Sequence, residues 1–464
     1  MKTSQLRPLF PQELVVDLYE LTMAAGYFSN QYNHLATFEL FVREMPPHRS
    51  FLVAAGLQQV VEYLLNLKFT ADDLEYLQGL EDFKHVDPSF WDYLAKFRFS
   101  GDLWAIPEGQ IVFPGEPLLR VTAPIIEAQV IETFILSTIN FQTMIASKAA
   151  RVVQAAQSDG KFRGVMEFGS RRAHGPEASI LAARASYIAG CVGTSNVFAG
   201  KHFHIPVYGT AAHSWTMAFP SEMEAFRAYH RVFPHKTTLL IDTYDVEKAA
   251  HKAVQIGPSL KGVRIDSGDL LKESRLVRKI LDEAGMEQVK IILSGDLNEY
   301  KIRMLIEGGA AVDSFGVGTQ MATSEDAPSL GGIYKLVEQE VHGEIRYRAK
   351  FSPNKATYPG KKQVYRMIAA NGQFIRDIIG TPEEKISGDH FPLLVPILKA
   401  GKLVGDLPEI DHIRQSFFTN IQKLPEIYQR FDNPETYPVL YSETLQNLFQ
   451  TLKREAESGK EGNF

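Results

Sequence analysis

The segment Ile205-Pro-Val-Tyr-Gly-Thr-Ala-Ala-His213-Ser-Trp is an apolar run that ends in Gly209-Thr210 and is followed by a histidine among small residues. We predict from it a buried strand that delivers a reactive side chain at its carboxyl end. The same design, a short apolar or β-branched run that ends in Gly, Ser or Asp, recurs at residues 165–169, 238–242, 262–266, 289–294 and 312–316.

Between these runs lie stretches long enough for a helix, at residues 177–189, 222–232, 246–255, 269–284 and 299–308. Strands that alternate with helices pair in parallel, so the pattern predicts an α/β fold, either a (β/α) barrel or an open doubly wound sheet. In both architectures ligands bind at the carboxyl ends of the strands, where the polar clusters of this sequence fall.

The two ends of the chain have a different character. At the N-terminal end we predict an amphipathic helix at residues 12–28, a strand at 38–43, a small antiparallel β layer at 101–124 and helices at 125–156. At the C-terminal end we predict strands at residues 346–351 and 363–369, a type I′ hairpin turn at Asn371-Gly372, two helices at 411–430 and 442–456, and a frayed tail at 455–464. We therefore expect an N-terminal α/β domain at residues 1–140, completed by residues 346–464, and a catalytic α/β barrel at residues 141–345.

Composition excludes several classes of protein. The 464 residues are 45% hydrophobic and 22% charged, as in a globular protein, and the net charge of −6 argues against general nucleic-acid binding. No run approaches the roughly 18 apolar residues of a membrane span, and residues 1–9 lack the continuous apolar region of a signal peptide. The lone Cys191 excludes an intrachain disulfide, so we expect a cytoplasmic protein.

Two glycine-rich loops follow neighbouring predicted strands. Gly316-Val-Gly318-Thr319 and Ser294-Gly295-Asp296 can each turn backbone N–H groups toward an anion. One such loop alone is as often a tight structural turn, but two at adjacent strand ends favour a phosphate site. Arg264 and Asp266 lie on one face of the predicted strand that precedes both loops, suited to a phosphate and to ribose hydroxyls, with an internal ion pair as the alternative.

The segment Glu167-Phe168-Gly-Ser-Arg171-Arg172 offers an aromatic ring and two guanidinium groups, which suits a flat anionic ligand; a solvated basic loop is the alternative. A lone histidine is usually structural, but the position of His213 at a strand end, with Asp242 at the end of the next, favours a functional role. No HxxxH or cysteine-rich spacing predicts a metal cage, so we expect Mg²⁺ to arrive with a polyphosphate substrate.

Eight motifs together resemble the nicotinate phosphoribosyltransferase family of type II phosphoribosyltransferases. They are Asp17-Leu-Tyr19-Glu-Leu-Thr-Met, Glu167-Phe-Gly-Ser-Arg-Arg, Gly209-Thr-Ala-Ala-His213-Ser, Ile241-Asp-Thr-Tyr-Asp, Arg264-Ile-Asp-Ser-Gly-Asp, Ser294-Gly-Asp, Gly316-Val-Gly-Thr and Lys350-Phe-Ser-Pro-Asn-Lys355. They cover most of the chain in the order expected of the family.

The resemblance implies an enzyme that joins nicotinate to 5-phosphoribosyl 1-pyrophosphate and releases pyrophosphate and nicotinate mononucleotide for NAD synthesis. It implies coupled ATP hydrolysis through a phosphohistidine at His213, oriented by Asp242. It also implies an irregular (β/α) barrel beside a smaller α+β domain built from both chain ends, in a homodimer with shared active sites.

The resemblance also assigns binding roles. Phe168 and Tyr19 of the partner subunit would sandwich the pyridine ring, and Arg171 would bind its side. The phosphoribosyl group would be held by Arg264, Asp266, Ser294, Gly295, Gly316, Gly318 and Thr319. Related nicotinamide-using enzymes carry Asp at the place of Ser195, which favours the anionic nicotinate here.

Three alternatives stay open. A nicotinamide phosphoribosyltransferase would share the architecture. A quinolinate phosphoribosyltransferase would need further basic residues for a second carboxylate and would lack an ATP-linked histidine, so Arg172 and His213 discriminate. A non-catalytic sensor of phosphoribosyl ligands would have kept the barrel without the chemistry.

Overall fold

The computed structural model describes residues 12–352 and 356–458, which form two compact units. The first unit comprises the chain up to Thr143 together with the chain from Ser329 onward, and the second is Met144–Pro328. The second boundary falls earlier than the expected one at residue 345, because residues 332–341 form a strand that pairs with Leu35–Val42 of the first unit.

The helices and strands of the described residues have the following bounds. The strands are β1 Leu35–Val42, β2 Leu52–Val53, β3 Asp102–Ala105, β4 Ile111–Val112, β5 Pro117–Pro124, β6 Gly164–Glu167, β7 Gly193–Thr194, β8 Thr238–Leu240, β9 Gly262–Ile265, β10 Lys290–Leu293, β11 Ser314–Val317, β12 Gly332–Val341, β13 Glu344–Tyr347, β14 Gln363–Ile368, β15 Phe374–Gly380, β16 His390–Pro392, β17 Val395–Lys399, β18 Lys402–Leu403 and β19 Val439–Tyr441. The helices are α1 Leu18–Ser29, α2 Leu57–Asn66, α3 Ala71–Gln78, α4 Pro88–Ala95, α5 Ile125–Val130, α6 Glu132–Ala156, α7 Pro176–Ile188, α8 Val197–Phe203, α9 His213–Met217, α10 Glu222–Val232, α11 Val246–Val254, α12 Leu270–Glu283, α13 Glu299–Glu307, α14 Thr319–Ala322, α15 Ile410–Lys423 and α16 Glu443–Glu457.

The first unit contains a largely antiparallel β structure made from both chain ends. Its main sheet has the order β13-β12-β1-β5-β3-β17-β18, and a second sheet has the order β16-β14-β15-β19. The inward-facing residues of β1 and β5, such as Leu40 and Val121, are fully buried. The predicted antiparallel layer at residues 101–124 is confirmed for β3 and β5, which belong to a sheet that both ends of the chain complete, whereas β4 pairs with β2 in a separate two-stranded sheet.

The second unit is a parallel sheet with the order β7-β6-β11-β10-β9-β8, connected by helices. This arrangement confirms the predicted irregular (β/α) barrel together with a second domain built from both chain ends. The prediction that the second domain is the smaller one is wrong, because it takes in the chain up to Thr143 and from Ser329 onward, whereas the barrel unit is Met144–Pro328. Helices α11, α12 and α13 each begin at a side-chain cap, because Asp245, Asp269 and Asn298 accept hydrogen bonds from the backbone N–H three residues later. Asp245 and Asp269, at the ends of two motifs, thus have a structural task.

The prediction of a buried strand at residues 205–210 is wrong. Val207 forms only an isolated parallel bridge with Thr194, and the side chains of Val207 and Tyr208 are 49% and 42% exposed. The bridge lies beyond β7, at the edge of the sheet, where one side of the backbone has no strand to pair with, and Pro206 has no N–H to donate. His213 accordingly begins a short helix, α9.

Two local predictions are also corrected. The hairpin between β14 and β15 exists, but its turn is not type I′, because only Gly372 has a positive φ. The N–H of Gly372 bonds to the carbonyl of Ala369, and the N–H of Ala369 to that of Gln373, which closes a three-residue loop. Helix α1 begins at Leu18 and not at residue 12. Residues 1–9 and the tail after Ser458 lie outside the described residues.

Over residues 12–352 and 356–458, none of the helices has the length and apolar character needed to cross a bilayer.

Candidate active site

The predicted site residues of the second unit follow the carboxyl ends of its parallel strands. Phe168 comes directly after β6, Asp242 follows β8, Asp266 follows β9, Ser294 follows β10 and Gly318 follows β11. The strands pair in parallel register, so these ends share one edge of the sheet.

Arg264 is the centre of a hydrogen-bond network at this edge. Its Nε donates to Ser294 Oγ at 2.7 Å, one terminal nitrogen donates to Thr210 Oγ1 at 2.9 Å, and the other donates to Asp266 Oδ1 at 2.6 Å. Its guanidinium carbon lies 5.5 Å from the centre of the Phe168 ring. The internal ion pair considered from the sequence is therefore present, and it lies within the same cluster as the glycine-rich loops.

Asp266 is held as a carboxylate. Its Oδ1 accepts hydrogen bonds from Ser294 Oγ at 2.5 Å and from Arg264. Burial opposes its ionisation, but the Ser294 hydrogen bond and the Arg264 charge outweigh burial, so the pKa of Asp266 is lowered. An ionised carboxylate here can accept hydrogen bonds from hydroxyl groups of a ligand.

His213 lies between two partners. Its Nδ1 is 3.1 Å from Thr243 Oγ1, and its Nε2 is 4.0 Å from Asp242 Oδ1. The Asp242 side chain is 2% exposed and that of His213 is 41% exposed. Asp242 is fixed through its other oxygen, which accepts from the Asp266 N–H at 3.1 Å and from Ser267 Oγ at 2.6 Å. A half-exposed imidazole thus faces a buried, immobilised carboxylate.

Two glycines of the predicted anion loops have packing reasons to be glycine. Gly295 has φ +95°, and a Cβ there would lie 1.8 Å from the carbonyl oxygen of Asp266. A Cβ at Gly316 would lie 2.5 Å from Cδ2 of Phe168. These close approaches bring the loop after β10 against the end of β9, and the Phe168 ring against β11. Gly318 and Thr319 lie at the start of α14.

Glu167, which sequence reasoning did not single out, connects two walls of the predicted nicotinate pocket. It is fully buried; one carboxylate oxygen accepts from the Gly169 N–H and the other accepts from Thr194 Oγ1 at 2.6 Å. Its carbonyl accepts from the Ser195 N–H at 2.9 Å. Burial raises its pKa, although both hydrogen bonds oppose this. Phe168 and Ser195 are thereby held on neighbouring strand ends.

Sequence reasoning also missed Thr210, Thr243 and Ser267, the hydroxyl groups that hold Arg264, His213 and Asp242. Each lies within three residues of a predicted site residue. The only sequence signal for them is this proximity, because Ser and Thr are common in any loop.

The remaining predicted residues stand apart from this network. Arg171 and Arg172 are exposed in the turn after β6, and His174 is exposed nearby. Tyr19 belongs to α1 of the first unit, where its side chain is 45% exposed. Burial, then the charges of Glu132 and Glu20, raise the pKa of Tyr19. Pro353, Asn354 and Lys355 of the last motif lie outside the described residues.

The carboxylates near the site do not form a complete metal-binding site, but they could contribute ligands to a cation that a substrate also binds. Burial and the charges of Asp242 and Asp269 raise the pKa of Glu273, and its buried Oε2 has no hydrogen-bond partner. Among the residues that the structure describes, no group of three or more His, Cys, Asp or Glu side chains is placed to hold a metal ion. This donor set fits a magnesium ion shared with substrate phosphates, since Mg²⁺ commonly uses one or two carboxylates.

Comparison with known proteins gives one consistent result. Family models match three parts of the chain: the nicotinate phosphoribosyltransferase N-terminal domain at residues 14–140, the family model itself at residues 164–346 and the C-terminal domain at residues 389–449. A nicotinate phosphoribosyltransferase of Mycobacterium tuberculosis is 44% identical over 440 residues, covering 93% of this chain and 92% of the relative. That of Bacillus subtilis is 40% identical, covering 93% of each chain.

Solved structures agree with the sequence relatives. The crystal structure of human nicotinic acid phosphoribosyltransferase superposes with a TM-score of 0.83 at 28% identity, over 95% of this chain and all of the human one. A nicotinate-nucleotide pyrophosphorylase from Pyrococcus furiosus has a TM-score of 0.73 at 24% identity, covering 91% and 99% of the two chains, and shows a shared fold. With all three family models matched along the chain and relatives aligned over nine-tenths of it, this chain belongs to the nicotinate phosphoribosyltransferase family.

Proposed function

We propose that this enzyme transfers the phosphoribosyl group of 5-phosphoribosyl 1-pyrophosphate to nicotinate, with ATP hydrolysis coupled through phosphorylation of His213. The products are nicotinate mononucleotide, a precursor of NAD, and pyrophosphate. The observation that carries this proposal is the pairing of a half-exposed His213 with the buried Asp242, which also bonds to the strand end that carries Arg264 and Asp266.

The geometry supports the binding of a phosphorylated sugar. Arg264 can donate to a phosphate when its bonds to Thr210 and Ser294 are exchanged for bonds to the ligand, and the ionised Asp266 can accept from ribose hydroxyls. The backbone N–H groups at Gly295, Gly316 and Gly318 would support the 5′-phosphate. We assign Ser294 and Thr319 to the same region.

The pyridine ring would stack on Phe168, which the Arg264 guanidinium already approaches from one side. Arg171, which is exposed, would bind the side of the nicotinate, and Ser195 leaves the pocket without the negative charge of an aspartate. We further propose that a second copy of the chain supplies Tyr19 to this pocket, in a homodimer with shared sites.

Bond cleavage at C1 of the ribose develops positive charge on the sugar and negative charge on the departing pyrophosphate. Glu273 would help to hold a Mg²⁺ ion that arrives with the polyphosphate substrate, and this ion would supply charge neutralisation for the departing pyrophosphate. The protein contributes positioning and charge stabilisation: Asp266 orients the ribose, Arg264 binds the phosphate, and Phe168 aligns the ring nitrogen for attack from the opposite face. The ring nitrogen of nicotinate forms the new bond to C1.

The decisive experiment measures ATP coupling. His213→Ala should abolish the stimulation of nicotinate mononucleotide formation by ATP and leave only slow, ATP-independent turnover. His235→Ala, which changes an exposed histidine of the same unit, is the matched control and should behave as the wild type. Stimulation by ATP that survives in His213→Ala would refute the role of His213.

Competition among nicotinate, nicotinamide and quinolinate tests the substrate assignment, and nicotinate should be used preferentially. Tight binding of both substrates without release of pyrophosphate would instead favour the ligand sensor. The cytoplasmic location stays a prediction from the sequence.

A further inference from the structure

We propose that Lys148, a buried lysine of α6, is a positioning residue that fixes the two glycine-rich loops of the site relative to each other. The first loop, residues 294–296, follows β10, and the second, residues 316–319, lies at the end of β11. Lys148 acts through two carboxylates, each of which follows one of the loops in the chain. The inference rests on the proposed function, because it concerns how 5-phosphoribosyl 1-pyrophosphate is bound.

Lys148 forms two ion pairs in the interior of the barrel unit. Its Nζ lies 2.6 Å from Glu299 Oε2 and 2.9 Å from Asp326 Oδ1. The side chains of Lys148 and Glu299 are almost completely buried, and that of Asp326 is 19% exposed. Arg151, which follows Lys148 on α6, brings its Nε to 3.7 Å from Glu299 Oε1. Two cations of one helix therefore face two carboxylates that come from different connections of the parallel sheet.

Glu299 is connected to the first loop. It is the first residue of α13, and Asn298 before it caps the helix by accepting a hydrogen bond from the Lys301 N–H at 2.9 Å. The Nζ of Lys301 returns to the loop and donates to the carbonyl of Asp296 at 2.8 Å. Because this loop is short and is held at both ends, a displacement of Glu299 moves the backbone of Gly295.

Asp326 is connected to the second loop. It lies just beyond α14, the short helix that begins within this loop. The N–H of Ala322 bonds to the Gly318 carbonyl at 3.0 Å, and the N–H of Thr323 bonds to the Thr319 carbonyl at 3.1 Å. Successive turns of this kind join the loop to Asp326, so a displacement of Asp326 is transmitted to the backbone of Gly318.

The burial of this network favours a positioning role over a role in stability alone. Removing charges from water offsets most of the attraction between them, so a buried ion pair adds little to the stability of a fold. It does fix the distance between the groups that it joins. A phosphate site made from two loops needs such a fixed distance, since the backbone N–H groups of both loops must converge on one anion. With Glu299 and Asp326 held by one ammonium group, the loops are arranged before the ligand arrives, and binding does not have to order them.

The first test removes the ammonium group. Lys148→Met keeps an unbranched side chain of similar length, and we expect KM for 5-phosphoribosyl 1-pyrophosphate to rise by about tenfold while KM for nicotinate stays within about twofold of wild type. Lys252→Met is the matched control, because Lys252 also pairs with a buried glutamate, Glu222, at 2.9 Å, but joins α11 to α10, neither of which follows either loop. The control should change neither constant. Equal increases in both variants would overturn the inference.

A double variant separates positioning from stability. Lys148→Met leaves two buried carboxylates with one cation fewer, so it can lower the melting temperature as well. Lys148→Met with Glu299→Gln removes one charge of each sign, and its melting temperature should return toward that of wild type, whereas KM for 5-phosphoribosyl 1-pyrophosphate should stay raised by about tenfold. Recovery of this KM together with the melting temperature would show that Lys148 only balances charge, and would overturn the positioning role.

Binding of 5-phosphoribosyl 1-pyrophosphate, followed by calorimetry without nicotinate, tests the inference apart from turnover. Its dissociation constant should rise by about tenfold in Lys148→Met and remain that of wild type in Lys252→Met. A wild-type protein that binds this ligand but transfers nothing would refute the proposed function, and the same comparison of dissociation constants would still decide the role of Lys148. An unchanged dissociation constant in Lys148→Met would exclude that role while leaving the proposed function intact.

Discussion

Arg264 shows how one residue organises the site. Its three nitrogens donate to three different side chains, from the segment after Val207, from the residue after β9 and from the residue after β10. A guanidinium group can do this because its donors are fixed in a plane, whereas an ammonium group is a single point. The residue therefore fixes the positions of Asp266, Ser294 and Thr210 before any substrate binds.

Replacement of Arg264 with Lys tests whether substrate binding depends on the positive charge alone or also on the planar arrangement of donors. The charge stays, but the planar set of donors is lost, so we expect KM for 5-phosphoribosyl 1-pyrophosphate to rise at least tenfold, while KM for nicotinate changes less. Steady-state kinetics with each substrate varied in turn give both constants. Arg227→Lys, at an exposed position on α10, is the control and should change neither. Equal effects on the two substrates would contradict a phosphate-binding role.

Gly295 and Gly257 form a matched pair of glycines. Their φ angles are +95° and +92°, but a Cβ at Gly295 would lie 1.8 Å from the Asp266 carbonyl oxygen, whereas a Cβ at Gly257 would meet nothing within 4 Å. Alanine at either position should cost about 1 kcal/mol of stability through the unfavourable φ. Only Gly295→Ala should also displace Asp266 and lower kcat/KM at least tenfold. Similar activity losses in both variants would mean that backbone strain alone is responsible.

At the scale of single elements, helix α1 is anchored by a buried acid. Glu20 is fully buried and accepts hydrogen bonds from the N–H of Thr133 at 3.0 Å and from the Thr133 hydroxyl, next to the start of α6. The Thr133 hydroxyl lies 2.9 Å from Asp17 as well. Burial is the main reason that the pKa of Glu20 is raised to about 8, with the charges of Glu132 and Asp17 adding to it. The helix that carries Tyr19 thus depends on a carboxyl group that is neutral at pH 7.

The sign of the resulting pH dependence follows from linkage. The folded state binds the Glu20 proton more tightly than the unfolded state, so stability declines as pH rises from about 4.5 to about 8. Glu20→Gln removes this term. The stability of the variant relative to wild type should therefore grow across that interval and reach on the order of a few kcal/mol at pH 9.

Urea unfolding of both proteins at pH 5 and pH 9 measures this difference. Glu75→Gln, which changes an exposed glutamate of α3, is the control and should show no such trend. A difference between Glu20→Gln and wild type that is the same at both pH values would show that Glu20 is not the titrating group.

At the scale of the whole molecule, the first unit contains a fully buried ion pair. Arg366 on β14 and Asp377 on β15 are both fully buried, with nitrogen to oxygen distances of 3.0 and 2.6 Å, and Tyr437 donates to Asp377 at 3.1 Å. Burial, then the charge of Asp377, raise the pKa of nearby Glu116 well above its usual range. Charges that are paired and hydrogen-bonded in this way tolerate burial.

Removal of one residue of this ion pair should lower the stability of the folded protein. Asp377→Asn removes the carboxylate that is hydrogen-bonded to the buried Arg366, and we expect the free energy of unfolding to fall by about 3–5 kcal/mol. The double variant Arg366→Met with Asp377→Leu, which removes both charges, should be less destabilised than Asp377→Asn. Denaturant unfolding of the three proteins checks this order. A double variant that is less stable than the single one would mean that the pair itself contributes net stability.

Much of the fold was predictable because it depends on local pattern. The strands at β6, β8, β9, β10 and β11 fall within one or two residues of the predicted ones, since apolar runs bounded by Gly, Ser and Asp are local signals. β7 was missed because Gly193-Thr194 is too short to show any periodicity, and Val207 was predicted as a strand because sequence cannot tell an edge from the middle of a sheet. The hydroxyl groups around Arg264 and His213 gave no signal either.

The sequence by itself determined the alternation of strands and helices, the polar strand ends, the family and the identities of the charged residues at the site. Only the tertiary structure decided which of them meet. Thr210 lies 54 residues from Arg264, and Ser267 lies 25 residues from Asp242, yet each pair is joined by one hydrogen bond. Such contacts depend on parallel strands bringing distant loops to one edge, which no local periodicity encodes. The sequence likewise does not distinguish the two ring nitrogens of His213. In the structure they have different neighbours, because Nε2 faces Asp242 and Nδ1 faces Thr243.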